Sequence, residues 1–317
     1  MTDMQNEAFK MPVNKIRLFE HGAPGSQNLK LTRKYYTEDM PDGRVKHIVQ
    51  NITDPDIVPY IPDGIGNSTD RQRIPAVLII PGGAFRRLVY NFEGEDVAKW
   101  LNSMGIAAFV LECRLPSDEH DNAEDVPLID AMRAMRVIRG RAQEFGIDEA
   151  KIGVMGFSAG GFIAALLSTA YESDVYADYK YKDEYDELSA RPDFAVCSYP
   201  VISIDDCIEA GKRYMSEEQV LERISDSKAK ILHKYNPDKL VRPDMPPVFI
   251  CETDDDRTTL SENSVGFYMA ARKAGVSAEL HIFRTGGHGY GCGDDSAQTG
   301  EWKVLFTKWI KSIGIIS

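Results

Sequence analysis

Cysteine is scarce in this chain. Five occur in 317 residues, at positions 113, 197, 207, 251 and 292, an odd number with no CxxC spacing. That pattern excludes a disulfide framework or a paired-thiol metal site as the organising device. Cys113, Cys197 and Cys251 each fall in or at the end of an apolar run, where a thiol behaves as a small inert hydrophobe. Long apolar runs are missing too: none approaches the ~18 residues of a membrane span. Residues 1–10 are polar and lack the apolar core of a secretory leader, so the expected location is cytoplasmic, although a trimmed secreted chain would read the same way. The sequons Asn51-Ile52-Thr53 and Asn67-Ser68-Thr69 are accordingly read as accidental. Positive charge is in deficit, with 37 Lys and Arg against 49 Asp and Glu and a net charge of -12. Nucleic acid and anionic membrane surfaces would repel such a chain, so neither is expected as a partner.

What the sequence has in quantity is alternation. Hydrophobic residues make up 43% and charged residues 27%, the balance of an ordinary globular protein. Residues 74–80 form an uninterrupted apolar run, the mark of a strand buried on both faces. Further strands are predicted over 106–111, 152–155, 194–199, 248–251 and 278–283. Helices are predicted between and after them, over 95–104, 127–145, 162–167, 261–274 and 302–313. This alternation implies an α/β fold: a mostly parallel central sheet with helices on both faces and ligands beyond the carboxyl ends of its strands. One domain over 1–317 accounts for the whole chain. Its first part, 1–70, is irregular, with 45–52 and 56–61 predicted as antiparallel edge strands. Residues 203–246 break the alternation with helical pieces, chiefly 217–233, and read as an insertion over the active face. There Tyr214, Met215 and Leu221 are candidate walls for a pocket.

The strongest local signal is 151–165, KIGVMGFSAGGFIAA. A strand runs into a tight turn with Gly two positions either side of Ser158, and a helix follows: the context of a nucleophile elbow. Side chains at Gly156 or Gly160 would crowd such a bend. The helix that follows aims its unpaired N–H groups and positive dipole end at the reaction centre. A nucleophilic Ser needs a base, an orienting acid and oxyanion donors. His288, in Thr285-Gly286-Gly287-His288-Gly289-Tyr290-Gly291 after the last predicted strand, is the candidate base. The other five His lie in strands (His47, His281), on a helix (His233) or in polar loops (His21, His120). The acid is sought in Asp254-Asp255-Asp256, with Asp256 chosen and Asp255 in reserve; a carboxylate there would hold the imidazole tautomer. A metal is the other reading of this acidic run, but no paired ligand spacing supports it, so no metal or cofactor is expected. Gly83 and Ala84 of Pro81-Gly82-Gly83-Ala84, together with Ala159, are the candidate oxyanion-hole donors.

With these residues in hand, the sequence from about Pro75 onward resembles the bacterial acetylxylan-esterase-like carbohydrate esterases of the α/β-hydrolase fold. The likeness rests on Pro81-Gly82-Gly83-Ala84-Phe85, Arg114-Leu115-Pro116, Gly156-Phe157-Ser158-Ala159-Gly160-Gly161, Ser189-Ala190-Arg191-Pro192-Asp193-Phe194 and Tyr199-Pro200-Val201-Ile202. It extends to Asp255-Asp256 with Glu262-Asn263-Ser264, and to Gly286-Gly287-His288-Gly289. The resemblance implies a triad of Ser158, Asp256 and His288 acting on short acyl esters, often acetyl groups of plant-polysaccharide fragments. The partner would then be a small-molecule or oligosaccharide ester. Departures stand at Ala84 for a third Gly, Phe162 and Glu252 for His, and Thr258-Thr259-Leu260 for Val-Val-Pro; they bear on substrate identity. Feruloyl or general short-chain esterase activity is the alternative, and a non-catalytic ligand-binding protein of this fold is the reading from another class. A lipase lacks support in any strongly apolar lid, and a prolyl-peptidase-type enzyme lacks room for its accessory domain. A His base must be neutral, so activity should fall as pH drops through roughly 6.5. Five tyrosines at 171, 176, 179, 181 and 185 could stack on sugar rings, but packing on the domain is the favoured reading.

Overall fold

The computed structural model describes residue 9 and residues 14–64, 73–213, 215–216, 218–220 and 230–317. The apolar runs become the strands of one large sheet. In chain order the strands are β1 (Ile16–Arg17), β2 (Lys34–Asp39), β3 (Val45–Gln50), β4 (Asp56–Tyr60), β5 (Ile74–Ile80) and β6 (Leu88–Val89). Then come β7 (Ala107–Glu112), β8 (Ile147–Phe157), β9 (Ala195–Ser198), β10 (Val248–Thr253) and β11 (Ala278–Phe283). Eight of them form a sheet in the order β1-β4-β7-β5-β8-β9-β10-β11, parallel from β7 through β11. Ala76 to Ile80 of β5 are 0% exposed, as an apolar run between two neighbours requires.

The N-terminal strands depart from expectation. The 56–61 stretch, expected at an edge, becomes β4 inside the large sheet, antiparallel to both β1 and β7. The 45–52 stretch becomes β3 of a separate antiparallel sheet, β2-β3-β6. β1 and β6 are two residues long, too short for any periodicity to register. β2 reads Lys-Tyr-Tyr-Thr-Glu-Asp, and no residue of it is fully buried, so it carries no hydrophobic alternation.

Helices cover the sheet: α1 (Asp96–Ser103), α2 (Val126–Gly140), α3 (Ala142–Phe145) and α4 (Ala159–Ala170). After them come α5 (Ile204–Lys212), α6 (Lys230–Lys234), α7 (Ser261–Lys273) and α8 (Trp302–Ser312). The single helix expected over 127–145 breaks at Arg141, which leaves helical geometry at φ -100 and ψ 17. In α4 every residue from Ala159 to Thr169 is buried, so this helix is central rather than amphipathic. Arg114 of the Arg-Leu-Pro motif is also fully buried, bonded to Asp130 at 2.7 Å. Beside it, His120 is buried rather than in an open polar loop; it meets Ser26 at 3.0 Å, and burial together with Arg114 pushes its pKa down to about 3.

Within 203–246 the described pieces are α5, residues 218–220, α6 and a 3-10 turn, Pro237–Leu240, that packs on α4 and α7. The rest of the helix expected over 217–233, with Tyr214 and Leu221, lies outside the described residues, as does the Asn67 sequon. Among the described residues no helix is long and apolar enough to cross a membrane. The parallel register puts Ile80 beside Gly156, Phe157 beside Ser198, Ser198 beside Cys251 and Thr253 beside Phe283. The strands therefore end together, and the turns after β5, β8, β10 and β11 share one edge of the sheet.

Candidate active site

Ser158 sits between β8 and α4 at φ 53 and ψ -119, a strained conformation for a residue with a side chain, costing ~1–3 kcal/mol. The surroundings enforce it. Ser158 N–H donates to Ser198 O at 3.0 Å, and its carbonyl accepts from Phe162 N–H at 3.1 Å and Val201 N–H at 3.3 Å. A Cβ on Gly156 would collide with the carbonyl of Gly160, and one on Gly160 with the carbonyl of Ile80. The bend closes only because both positions are glycine.

His288 lies in the loop after β11. Its Nε2 is 2.8 Å from Ser158 Oγ, and its Nδ1 is 2.6 Å from Asp256 Oδ2. A proton on Nδ1 donates to that carboxylate and leaves Nε2 to accept the serine hydroxyl. Asp256 is 3% exposed. Its Oδ1 accepts the N–H groups of Thr258 (2.7 Å) and Thr259 (3.0 Å), and Thr259 Oγ1 stands 3.0 Å from Oδ2. Burial opposes ionisation of Asp256, but the His288 contact and these backbone donors outweigh it and hold its carboxyl below the ordinary value. Asp255, the reserve acid, does something else: its Oδ1 accepts the N–H groups of Gly286 (2.9 Å) and Gly287 (2.8 Å).

The turn after β5 lies against the elbow, since a Cβ on Gly82 would come within 2.9 Å of Ser158 Cβ. Gly82 N–H is taken, donating to Glu93 at 2.8 Å. Among the described residues the N–H groups of Gly83, Ala84 and Ala159 have no hydrogen-bond acceptor. Ala84 adopts φ 57, so the non-glycine third position takes a left-handed backbone. Phe162 turns away from solvent and packs edge-on against Phe85, 5.6 Å between ring centroids. Glu252 is buried beneath Asp256, accepting from Thr253 N–H (2.9 Å) and Ser264 Oγ (3.2 Å). Burial first, then the charge of Asp256, pushes its pKa well above the ordinary carboxylate value.

Sequence reasoning missed Glu93, Tyr199 and Thr259. No spacing rule singles them out, because each reaches the site only through tertiary contacts. Among the described residues no three His, Cys, Asp or Glu side chains are grouped as metal ligands. Tyrosines of the 171–185 loop are largely occupied elsewhere. Tyr171 bonds Asp244 at 2.7 Å, Tyr176 bonds Asp186 at 2.9 Å, Tyr179 bonds the Gly22 carbonyl at 3.0 Å, and Tyr185 lies under Arg133. Tyr181, at 41% exposure, is the most exposed of the group, with the His21 ring 4.7 Å from its own and Lys180 Nζ 4.5 Å over it.

Comparison with known families matches residues 65–270 to BD-FAE. Over 240 residues the chain is 30% identical to the acetylxylan esterase of Xylanibacter ruminicola, covering 75% of this chain and 45% of that protein. Over 232 residues it is 31% identical to endo-1,4-beta-xylanase B of Butyrivibrio fibrisolvens, covering 73% and 35% respectively. The chain thus spans less than half the length of both curated relatives. Among solved structures, the acetyl ester-xyloside bifunctional hydrolase of Caldicellulosiruptor lactoaceticus superposes with a TM-score of 0.71 at 34% identity, covering 96% of this chain and 97% of that one. The esterase Est2 of Thermogutta terrifontis, bound to propionate, superposes with a TM-score of 0.65 at 23% identity over 93% and 96%, a likeness of fold. The mostly parallel sheet flanked by helices is the α/β-hydrolase fold expected from the sequence. The chain belongs to the BD-FAE family.

Proposed function

We propose that this protein is a serine carboxylic-ester hydrolase acting on short acyl esters, acetyl foremost, carried by carbohydrates such as xylan fragments. The observation that carries the reading is the continuous hydrogen-bonded path from Ser158 through His288 to Asp256, 2.8 Å and 2.6 Å long. The names of the acetylxylan esterase and the acetyl ester-xyloside hydrolase support the acetyl and carbohydrate parts of it.

In this reading His288 takes the proton from Ser158 as Oγ attacks the ester carbonyl. The oxyanion forms against the N–H groups of Gly83, Ala84 and Ala159, each such donor supplying roughly 3–4 kcal/mol of transition-state stabilisation. His288 then gives its proton to the departing alcohol, and Asp256 stabilises the imidazolium throughout. Water, deprotonated by the same imidazole, attacks the acyl-enzyme and releases the acid. The steps use side chains, backbone N–H groups and water. In this reading the described parts of 203–246 act as the cap over this face within a single domain, and they supply walls that set acyl length.

The test is a set of initial rates on acetyl, butyryl and octanoyl p-nitrophenyl esters beside acetylated and feruloylated xylo-oligosaccharides. Highest kcat/KM on acetyl substrates is expected. Preference for octanoyl would remove the carbohydrate-acetyl reading, and preference for feruloyl would move the acyl assignment to that class. Labelling of Ser158 by an organophosphonate separates an enzyme from a ligand-binding protein of the same fold.

A further inference from the structure

Glu93 is 5% exposed, and no step above uses it. It sits in a π turn, Asn91–Glu95, that leads into α1. Both its carboxylate oxygens are occupied. Oε2 accepts the N–H of Gly82 at 2.8 Å, and Oε1 accepts the hydroxyl of Tyr199 at 2.9 Å. Tyr199, 0% exposed, accepts in turn the N–H of Gly291 at 2.9 Å. One path therefore runs from the turn that holds Gly83 and Ala84 to the loop that holds His288.

Its two ends leave little slack. A Cβ on Gly82 would lie 2.9 Å from Glu93 Oε2 and 2.9 Å from Ser158 Cβ, so the turn is packed closely between the carboxylate and the nucleophile. At the other end the Tyr199 ring stands 5.0 Å from the His288 ring and 4.5 Å from that of Tyr290. Trp302 Nε1 donates to Gly291 O at 3.1 Å, fixing the far side of the loop. Tyr199 holds φ 38, a left-handed conformation a bulky aromatic keeps only where its neighbours dictate it.

Chemistry selects the carboxylate. Gly82 and Tyr199 both present a donor, so the group between them must accept on both sides. An ionised carboxyl does this, whereas a carboxamide would turn an NH2 toward one donor. Burial is the largest influence and leaves the pKa of Glu93 above the ordinary carboxylate value; the charge of His288 and these same donors offset part of that rise. An ionised Glu93 is also the right sign to face an imidazolium.

We propose that Glu93 is a positioning residue: through Tyr199 it couples the oxyanion turn to the His288 loop, so that both address Ser158 in one geometry. The inference rests on the ester-hydrolase reading for its kinetic consequences, but the coupling itself can be observed without turnover.

Three variants of the full chain test it: Glu93→Gln, Tyr199→Phe and the pair together. Glu93→Gln should lower kcat for p-nitrophenyl acetate by ~10- to 100-fold, with KM within about twofold, because misplacement rather than lost binding is the defect. Tyr199→Phe should lower kcat by a smaller factor, and the double variant should be no worse than Glu93→Gln, as members of one path require. Amide hydrogen exchange should quicken at both 82–89 and 286–293 in Glu93→Gln, and at 286–293 alone in Tyr199→Phe. A kcat within twofold of wild type for Glu93→Gln, additive losses in the pair, or faster exchange spread across the whole chain would each overturn the proposal. Should Glu93→Gln not fold, Tyr199→Phe decides: lower kcat with exchange confined to 286–293 upholds the coupling, and neither change refutes it. A wild type without ester turnover sinks the ester-hydrolase reading, while the exchange pattern still decides the coupling.

Discussion

Ser158 and His288 meet across 2.8 Å, yet the segments that carry them are built in opposite ways. Around Ser158 every residue from Ile152 to Thr169 is buried, and strand, bend and helix are contiguous in sequence. Around His288 no residue from Arg284 to Tyr290 is fully buried. That loop is held by ties to distant elements: Asp255 to Gly286 and Gly287, Thr253 Oγ1 to the Gly287 carbonyl, Tyr199 to Gly291. The elbow owns its geometry and the loop borrows its own. Damage to the elbow should therefore unfold the protein, whereas damage to the loop should slow it while leaving it folded.

The largest effects come from removing the groups that bridge the two segments. On the proposed mechanism Ser158→Ala should lower kcat by ~10⁶, leaving only what binding and the oxyanion donors provide. Asp256→Asn should cost ~10⁴ in kcat, since an amide no longer holds the working imidazole tautomer. Both are read in steady-state assays against wild type with the melting curve as a control. Full activity in pure Ser158→Ala would end the nucleophile assignment.

The same contrast explains what the sequence made legible. The elbow could be read because strand, Gly-x-Ser-x-Gly bend and helix all lie within 151–165, and the structure gives β8 and α4 on either side of Ser158. His288 and Asp256 were legible as candidates, because each follows a predicted strand. Their meeting was expected from chemical role and family resemblance rather than from spacing, because it depends on how β10 and β11 pair, Thr253 beside Phe283. Asp255 and Asp256 are adjacent and chemically identical in sequence; the backbone turn sends one to the glycine N–H groups and the other to the imidazole. Glu93 was invisible, a lone acid before a helix whose two partners come from residues 82 and 199. β1, β2 and β6 escaped for want of length or of buried side chains, and β4 was read as an edge strand because the two residues that cap it carry no pattern.

Glycine at 160 tests the elbow side directly. A Cβ there meets backbone, the carbonyls of Ile80 and Pro81, which cannot swing aside as a side chain would. Gly160→Ala should destabilise the fold by roughly 1–3 kcal/mol, and more if the strand must shift, read as a lower midpoint in urea. On the loop side, Asp255→Ala strips the acceptor from Gly286 and Gly287, whose N–H groups are near enough to solvent for water to replace it. Its expected signature is a fall in kcat/KM of about 3- to 30-fold with stability changed by under ~1 kcal/mol. If Gly160→Ala left stability intact while Asp255→Ala unfolded the chain, the division between owned and borrowed geometry would be reversed.

The smallest effect concerns the carboxyl end of β10, where the loop's support begins. Glu252 and Asp256 stand four residues apart, both nearly inaccessible, and their acidities are displaced in opposite directions. Asp256 is held below its ordinary value, so its contribution to stability is present above the unfolded carboxyl value and is lost as pH falls through the lower folded one. Glu252 is held above its ordinary value. Between about 4.3, where a carboxyl of the unfolded chain ionises, and the higher folded value, the unfolded chain releases a proton that the folded chain keeps, so stability declines as pH rises across that window. Glu252→Gln removes this decline while its amide oxygen can accept from Thr253 N–H and its NH2 can donate to the Ser264 hydroxyl oxygen. The variant's melting temperature should match wild type below about pH 4 and exceed it increasingly toward neutral pH. A gap that stays constant from pH 4 to 9 would mean that Glu252 is ionised in the fold, with the negative charges of Glu252 and Asp256 both held behind the imidazole.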